Sequence, residues 1–179
     1  MFWLWLTFSL LCALFAELLL ALHGVALPLL LYGVFYFSCF APWQKALPIY
    51  LLLAAFLDAW FGRALPVGGL AVLTLIFLSR IWRRHGDSNN GFALLLPGLL
   101  IALINLLFLY ILHFTSGAGL SRSDLFFGLF YLIFSLPALP LMSLLLEKIA
   151  RRLALPRLET GTNICSWQGH LTAEELRDD

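Results

Sequence analysis

The chain consists largely of apolar runs that are long enough to cross a lipid bilayer. The first run, residues 2–22, contains a single charged residue, Glu17, and comparable runs recur up to residue 148. Hydrophobic residues make up 62% of the 179 residues and charged residues only 12%, whereas soluble domains have about 25% charged residues. A water-soluble fold needs more polar surface than this chain has. The sequence therefore predicts an all-α integral membrane protein.

Glycine, proline and charged residues divide the apolar sequence into six predicted spans. The spans cover roughly 2–22, 26–42, 46–62, 66–82, 92–114 and 124–148. At about 1.5 Å per residue, the first, fifth and sixth are long enough for a hydrocarbon core about 30 Å thick. The other three are marginal: they cross a locally thin region, or the third and fourth form a hairpin packed inside the bundle. We expect full crossings, with a six-helix membrane domain over 1–155 and a short cytoplasmic tail over 156–179.

The basic residues predict which ends of the spans face the cytoplasm. With the N-terminus inside, nine Lys and Arg residues fall in inner segments and two, Arg63 and Arg122, in outer ones. The inner nine are Lys45, Arg80, Arg83, Arg84, Lys148, Arg151, Arg152, Arg157 and Arg177. Loops rich in Lys and Arg stay on the cytoplasmic side of a membrane. We therefore expect an N-in/C-in multi-pass topology.

Several functional classes lack the residue patterns that they need. The net charge of +1 gives no basic field for nucleic acid, and the three cysteines show no CxxC spacing for zinc. The sequence has no HExxH, no GxGD and no Gly-x-Ser-Gly nucleophile turn, and no glycine-rich phosphate loop precedes a lysine. We predict neither catalytic nor metal-binding nor cofactor-binding residues. An intramembrane enzyme is accordingly the least favoured hypothesis.

Glu17 and Asn105 are polar residues inside predicted spans. An acid at the bilayer centre costs about 2.5–3.5 kcal/mol, so such residues usually face a bundle interior or water. Glu17 lies several residues before the end of the first span, and it either reaches the outer interface or has a functional role. Asn105 is central in the fifth span. We expect it to make a hydrogen bond between helices, worth about 0.6 kcal/mol on average in membranes.

Glycine and proline mark the expected ends and bends of the helices. Gly24 is expected to end the first helix in a left-handed cap, and Pro28 suits the first turn of the second. Pro137 and Pro140 lie inside the sixth span, where each removes a backbone donor and clashes with the preceding turn. A kinked sixth helix is therefore expected, with neighbouring groups satisfying the freed carbonyls.

The most distinctive polar stretch is FLDAWFGRALPVGG at residues 56–69. Six of its residues form a candidate structural or contact motif: Asp58, Gly62, Arg63, Pro66, Gly68 and Gly69. Asp58 and Gly62 share a helical face, and Arg63 can pair with Asp58 only if the helix ends at Gly62. Pro66 suits the start of the next helix, where the two glycines allow close approach. The stretch predicts a tight outer turn in which Asp58 either stabilises the turn or binds a partner.

Three segments resemble the family of the rod shape-determining protein MreD. They are LPLLLYGVFY at 27–36, FLDAWFG at 56–62 and LPVGGLAVLTL at 65–75. The family more often has Asp-x-x-x-Gly-x-x-x-Gly, whereas here the connection after Gly62 is slightly longer. The basic loop after the fourth span also fits the family pattern.

The resemblance implies a non-enzymatic scaffold in the bacterial inner membrane. Its expected partners are a membrane-anchored MreC-like protein and the actin-like MreB filament, which together position the cell-wall elongation machinery and maintain rod shape. The resemblance also implies a fold distantly similar to the substrate-binding subunits of vitamin transporters. A small-molecule binding subunit of that type is therefore the alternative hypothesis for function.

Overall fold

The computed structural model describes residues 2–25, 27–39, 41–63, 65–85, 95–115 and 122–152, and all regular structure in these ranges is α-helical. Seven helices follow in order: α1 (Phe2–Leu22), α2 (Leu29–Ser38), α3 (Trp43–Trp60), α4 (Val67–His85), α5 (Leu95–Thr115), α6 (Arg122–Ser135) and α7 (Ala138–Arg152). The predicted all-α class is confirmed. The predicted tail over 156–179 lies outside the described residues.

Three helical stretches are long and apolar enough to cross a membrane. They are Phe2–Leu22, Leu95–Phe114 and Phe126–Ala150, and the last comprises most of α6 and α7. Two shorter apolar helical stretches, Leu29–Ser38 and Val67–Trp82, accompany them. These lengths are compatible with a membrane protein. The three stretches correspond to the first, fifth and sixth predicted spans, which are the ones predicted to be long enough to cross the hydrocarbon core.

The helix α2 lies at the centre of the bundle. Every residue from Leu30 to Ser38 is buried, and α2 contacts α1, α3, α4, α5 and α7. The helix has ten residues, so it is only about 15 Å long, much shorter than the predicted span over 26–42. Irregular backbone at membrane depth is tolerated where protein encloses it. The enclosure of α2 by five neighbours is consistent with that requirement.

The outward faces of the long helices carry large apolar side chains. On α6, four phenylalanines are exposed: Phe126, Phe127, Phe130 and Phe134. Leucine and phenylalanine side chains of α1 are exposed in the same way. In water such surfaces would favour aggregation, whereas in a bilayer they face lipid tails at no such penalty. The distribution of apolar residues therefore agrees with a membrane environment.

The predicted kink in the sixth span is a break between α6 and α7. The helix stops at Ser135 and resumes at Ala138, with Pro137 in the gap. The Tyr32 hydroxyl of α2 donates a 3.0 Å hydrogen bond to the Ser135 carbonyl. Gly98 of α5 also packs here, since a Cβ at this glycine would lie 3.2 Å from the Leu139 Cβ. The break is thus held by two neighbouring helices.

Candidate functional site: the Asp58 turn and the adjoining cavity

The helix α3 ends in a left-handed glycine cap. Gly62 has φ +61°, and its amide donates to the Ala59 carbonyl at 3.1 Å. The next amide, that of Arg63, donates to the Asp58 carbonyl at 2.9 Å. These two bonds are the pair that defines a Schellman motif, in which a left-handed residue satisfies the last carbonyls of a helix. The chain therefore reverses at Gly62, and Arg63 is turned back toward α3.

The Asp58 side chain joins the end of α3 to the start of α4. Its Oδ1 accepts a 3.1 Å hydrogen bond from Arg63 Nη1, and its Oδ2 accepts a 2.8 Å bond from the Gly68 amide. Asp58 is only 6% exposed. The Gly68 amide lies in the first turn of α4, where the helix leaves its donors without intrahelical partners. A buried carboxylate is thus balanced by a guanidinium and by the positive end of a helix.

Gly68 leaves the space that the Asp58 carboxylate occupies. A Cβ at this position would lie 2.9 Å from Asp58 Oδ2, 3.1 Å from Asp58 Oδ1 and 3.1 Å from the Ala54 carbonyl oxygen. At Gly69 the nearest atom to a Cβ would be Leu51 Cδ2, at an ordinary 3.9 Å. The two neighbouring glycines therefore differ: the first permits the contact with Asp58, and the second faces α3 without crowding.

The structure brings together four of the six residues singled out in the sequence. Asp58, Arg63 and Gly68 meet through the carboxylate, and Gly62 makes the reversal that allows it. Pro66 directly precedes α4, and its carbonyl accepts the Leu70 amide at 3.2 Å. Gly69 lies in α4 apart from the carboxylate. Whether these residues also contact a partner stays a prediction.

Apolar residues, most of them aromatic, surround this turn on the outside. Phe56, Trp60, Phe61 and Leu65 are all exposed, and they are called the turn cluster below. The rings of Phe56 and Trp60 stack with centroids 6.1 Å apart. The Arg63 guanidinium lies 5.0 Å from the centroid of the Phe61 ring, within the range of a cation–π contact. The same arginine thus holds both the buried acid and an exposed ring.

Glu17 performs a structural task that the sequence did not reveal. Its Oε2 accepts a 2.8 Å hydrogen bond from the Leu30 amide in the first turn of α2. The side chain of Pro28, which precedes α2, makes no capping hydrogen bond. A carboxylate from α1 therefore satisfies a backbone donor of another helix and complements its dipole. The two residues are thirteen positions apart, a distance at which no capping pattern in the sequence applies.

A cavity of about 210 Å³ lies beside the turn, at the end of the bundle where α1 and α3 end. It is lined by Glu17, Ala21, Gly24, Leu27, Pro28, Phe61, Arg63, Asn105, Leu109 and Tyr131. The Asn105 amide nitrogen donates a 2.6 Å hydrogen bond to the Tyr131 hydroxyl, so the predicted interhelical bond of Asn105 is confirmed. The cavity combines an apolar wall with a few converging polar groups, which is the usual composition of a small-molecule site.

Within the described residues, no group of three His, Cys, Asp or Glu side chains could hold a metal ion. A scan of protein-family models, a search of curated proteins and a search of solved structures each found no match.

Proposed function

We propose that the chain is a non-enzymatic scaffold subunit of the bacterial cell-shape and peptidoglycan-elongation machinery, similar to MreD. The observation that carries the proposal is the hydrogen-bonded turn between α3 and α4. There, Asp58, Arg63 and Gly68 lock two helix ends together and hold the turn cluster at the surface. The sequence of this turn also contains the segment on which the family resemblance is strongest.

An aromatic surface on such a turn suits a binding partner for two reasons. Aromatic residues are enriched in the cores of protein interfaces, and a surface that is already ordered loses little conformational entropy on binding. Aromatic rings also favour the membrane–water interface, where a turn between two spans would lie. The proposed partner at the turn cluster is the MreC-like membrane protein, which would link the subunit to the MreB-associated elongation complex.

The proposed topology has six crossings of the inner membrane, with both termini in the cytoplasm. In it, α6 and α7 together form the last crossing. The helix α3 has 18 residues, about 27 Å, and the apolar part of α4 is Val67–Trp82, about 24 Å, so both are somewhat shorter than a hydrocarbon core about 30 Å thick. The short α2 would cross with the help of its flanking irregular segments inside the bundle. This arrangement places the Asp58 turn on the outer side.

Depletion of the protein in its rod-shaped host is the direct test of the proposed role. Loss of a subunit that positions wall elongation should round the cells before growth stops. Cell shape is measured by microscopy, with re-expression of the unchanged chain as the control. Normal rods after complete removal, in a host with no second copy of the subunit, would overturn the proposal.

A photo-crosslinking experiment tests the contact surface itself. A photoreactive phenylalanine analogue at Trp60, within the turn cluster, should capture the MreC-like protein in native membranes. The same analogue at Leu52, an exposed residue of the same helix, is the matched control and should capture lipid. Adding Asp58→Asn should reduce capture at Trp60, because the turn loses its carboxylate. Equal capture at both positions, or none of MreC at Trp60, would assign the contact elsewhere.

The cavity favours a second candidate, a small-molecule binding subunit of a membrane transporter. Its volume of about 210 Å³ is below the 300–1,000 Å³ that is typical of sites for drug-sized ligands, and this ranks the candidate second. A vitamin that co-purifies in a one-to-one ratio, together with failure to capture an MreC-like protein, would favour the transporter subunit over the scaffold.

A further inference from the structure

The cavity beside the Asp58 turn is lined by both polar and apolar residues. Glu17, Asn105 and Tyr131 contribute carboxylate, amide and hydroxyl groups, while Leu27 and Leu109 are among the apolar residues. Gly24, from the connection after α1, and Phe61, at the end of α3, line it as well, and both are exposed. The cavity therefore adjoins the surface at this end and extends toward the middle of α5, where Asn105 lies.

Glu17 and Asn105 each present an acceptor group at the cavity. Of the two Glu17 oxygens, Oε2 accepts the Leu30 amide, and no other donor among the described residues reaches the carboxylate. Asn105 uses its amide nitrogen to donate to Tyr131, which leaves its carbonyl oxygen as an acceptor. Buried acceptors are favourable only when a donor reaches them. A ligand that enters here is therefore expected to bring N–H donors.

The charges near the cavity favour a cation. Arg63 and Glu17 are the charged residues among those that line it. The Arg63 guanidinium is already paired with Asp58 at 3.1 Å. Glu17 has no basic side chain within ion-pair distance among the described residues. The Glu17 carboxyl is therefore the lining group with which a cationic ligand can pair.

The size of the cavity limits the ligand to a small molecule or to one end of a larger one. A cavity of about 150 Å³ with an apolar lining can bind benzene. The volume of about 210 Å³ therefore accepts a benzene-sized body with a short polar extension. A primary ammonium supplies three N–H donors on a single charged atom, which suits several acceptors that converge.

We infer that this cavity binds the ammonium group of a small amphiphilic amine, with Glu17 as the counter-charge and Asn105 as a hydrogen-bond acceptor. The apolar body lies against Leu27, Phe61 and Leu109. The ammonium comes either from a free amine in the surrounding water or from the ethanolamine headgroup of a membrane lipid. Both sources present the same group to Glu17, and neither depends on the scaffold role proposed above.

Calorimetric titration of the full chain in detergent tests the chemistry of the ligand. The probe is 2-phenylethylammonium, and its neutral counterpart is 2-phenylethanol, which has nearly the same shape. The ammonium should bind once per chain and at least about tenfold more tightly than the alcohol, because its hydrogen bond to the carboxylate is between charged groups. Equal affinities for the two probes, or no binding of the ammonium, would overturn the inference.

Two variants connect binding to this cavity. Glu17→Gln keeps an oxygen that can accept the Leu30 amide but removes the charge, so it should weaken the ammonium about tenfold or more and leave the alcohol unchanged. Ala21→Leu fills the cavity and should abolish binding of both probes. Glu147→Gln removes an acid of α7 that does not line the cavity and should change neither affinity. An unaltered ammonium affinity in Glu17→Gln would contradict the assignment.

Lipid nanodiscs distinguish the two sources of the ammonium. In discs that contain phosphatidylethanolamine, native mass spectrometry should show one retained lipid per chain, displaced by 2-phenylethylammonium, if the source is the headgroup. In discs of phosphatidylglycerol alone, the probe should then bind without competition. Equal binding of the probe in both kinds of disc, with no retained lipid, supports a free amine. Failure of both lipid and probe to bind in any disc would overturn the inference.

Discussion

At Gly68 the backbone of α4 approaches the Asp58 carboxylate so closely that a side chain has no room. In Gly68→Ala the new Cβ would meet Asp58 Oδ2 at 2.9 Å and the Ala54 carbonyl oxygen at 3.1 Å. The helices must separate slightly, so we expect destabilisation of about 1–3 kcal/mol, as for other overpacked sites. The measurement is the unfolding free energy in detergent. Gly69→Ala, with its nearest neighbour at 3.9 Å, should be neutral or slightly stabilising.

A comparison of those two variants is decisive because they differ by one position in the same helix turn. Both replace glycine by alanine in α4, so both gain about the same helix propensity. A difference between them must therefore come from the contact with Asp58 and Ala54. If both variants had the same stability, the close approach at Gly68 would have no energetic consequence.

The coupling between Asp58 and Arg63 is measurable separately from the contact with Gly68. Asp58→Ala leaves the Gly68 amide and the Arg63 guanidinium without their acceptor, and we expect a loss of about 1.5–3 kcal/mol in unfolding free energy. Arg63→Ala should lose less, because the Gly68 amide still binds the carboxylate. The double variant should be less damaging than the sum of the two single ones. Strict additivity would show that the ion pair adds nothing to stability.

How much of this site could be predicted depends on how local each contact is. The pairing of Asp58 with Arg63 followed from one condition, a helix end at Gly62, and that condition is met. The bond from the Gly68 amide to Asp58 was harder to foresee, because it needs the angle at which α4 leaves the turn. The contact of Glu17 with Leu30 could not be predicted, since it depends on how α1 and α2 pack.

At the scale of whole elements, two helices end in the same way. Gly24 after α1 and Gly62 after α3 have φ of +77° and +61°, and each amide bonds back to the preceding turn. A Cβ at either glycine would meet nothing within 4 Å. Glycine is therefore required at these ends for its left-handed conformation and not to avoid steric crowding. This agrees with the left-handed cap that the sequence predicts at Gly24.

Substitution of Gly62 should show this conformational requirement. Gly62→Ala places a Cβ in the left-handed region, which costs about 1–2 kcal/mol, and thermal unfolding should begin at a lower temperature. Gly62→Asn is the matched variant, because asparagine tolerates the left-handed region better than other residues with a side chain. It should recover much of the lost stability. Equal losses for Ala and Asn would point to steric crowding in the folded protein instead.

The helix α2 shows where prediction from an apolar sequence fails. The run over 26–42 predicted a span, but the helix covers only Leu29–Ser38. Pro28 marks the start of this helix, but the run that follows is apolar on every side, so no periodicity in it marks an end at Ser38. The break between α6 and α7 was predictable because Pro137 carries a local signal. The group that occupies the break, the Tyr32 hydroxyl, comes from a distant helix and left no such signal.

At the scale of the whole molecule, two arrangements of α3 and α4 are distinguishable: the helices cross the membrane, or they turn back inside it as a hairpin. The two helices meet at the Asp58 turn, which carries the exposed Leu65. At the other end of α3 lies Gln44, also exposed. The proposed topology puts these two residues on opposite sides of the membrane.

Cysteine labelling in intact cells should separate the two arrangements. After replacement of Cys12, Cys39 and Cys165, a membrane-impermeant maleimide should label Leu65→Cys directly, and Gln44→Cys only after the membrane is opened. The reason is the positive-inside rule, which places Lys45 in the cytoplasm. If α3 and α4 instead form a buried hairpin entered from the inside, Leu65→Cys would stay unlabelled in intact cells. The cavity beside Glu17 would then have no direct access from the outer side.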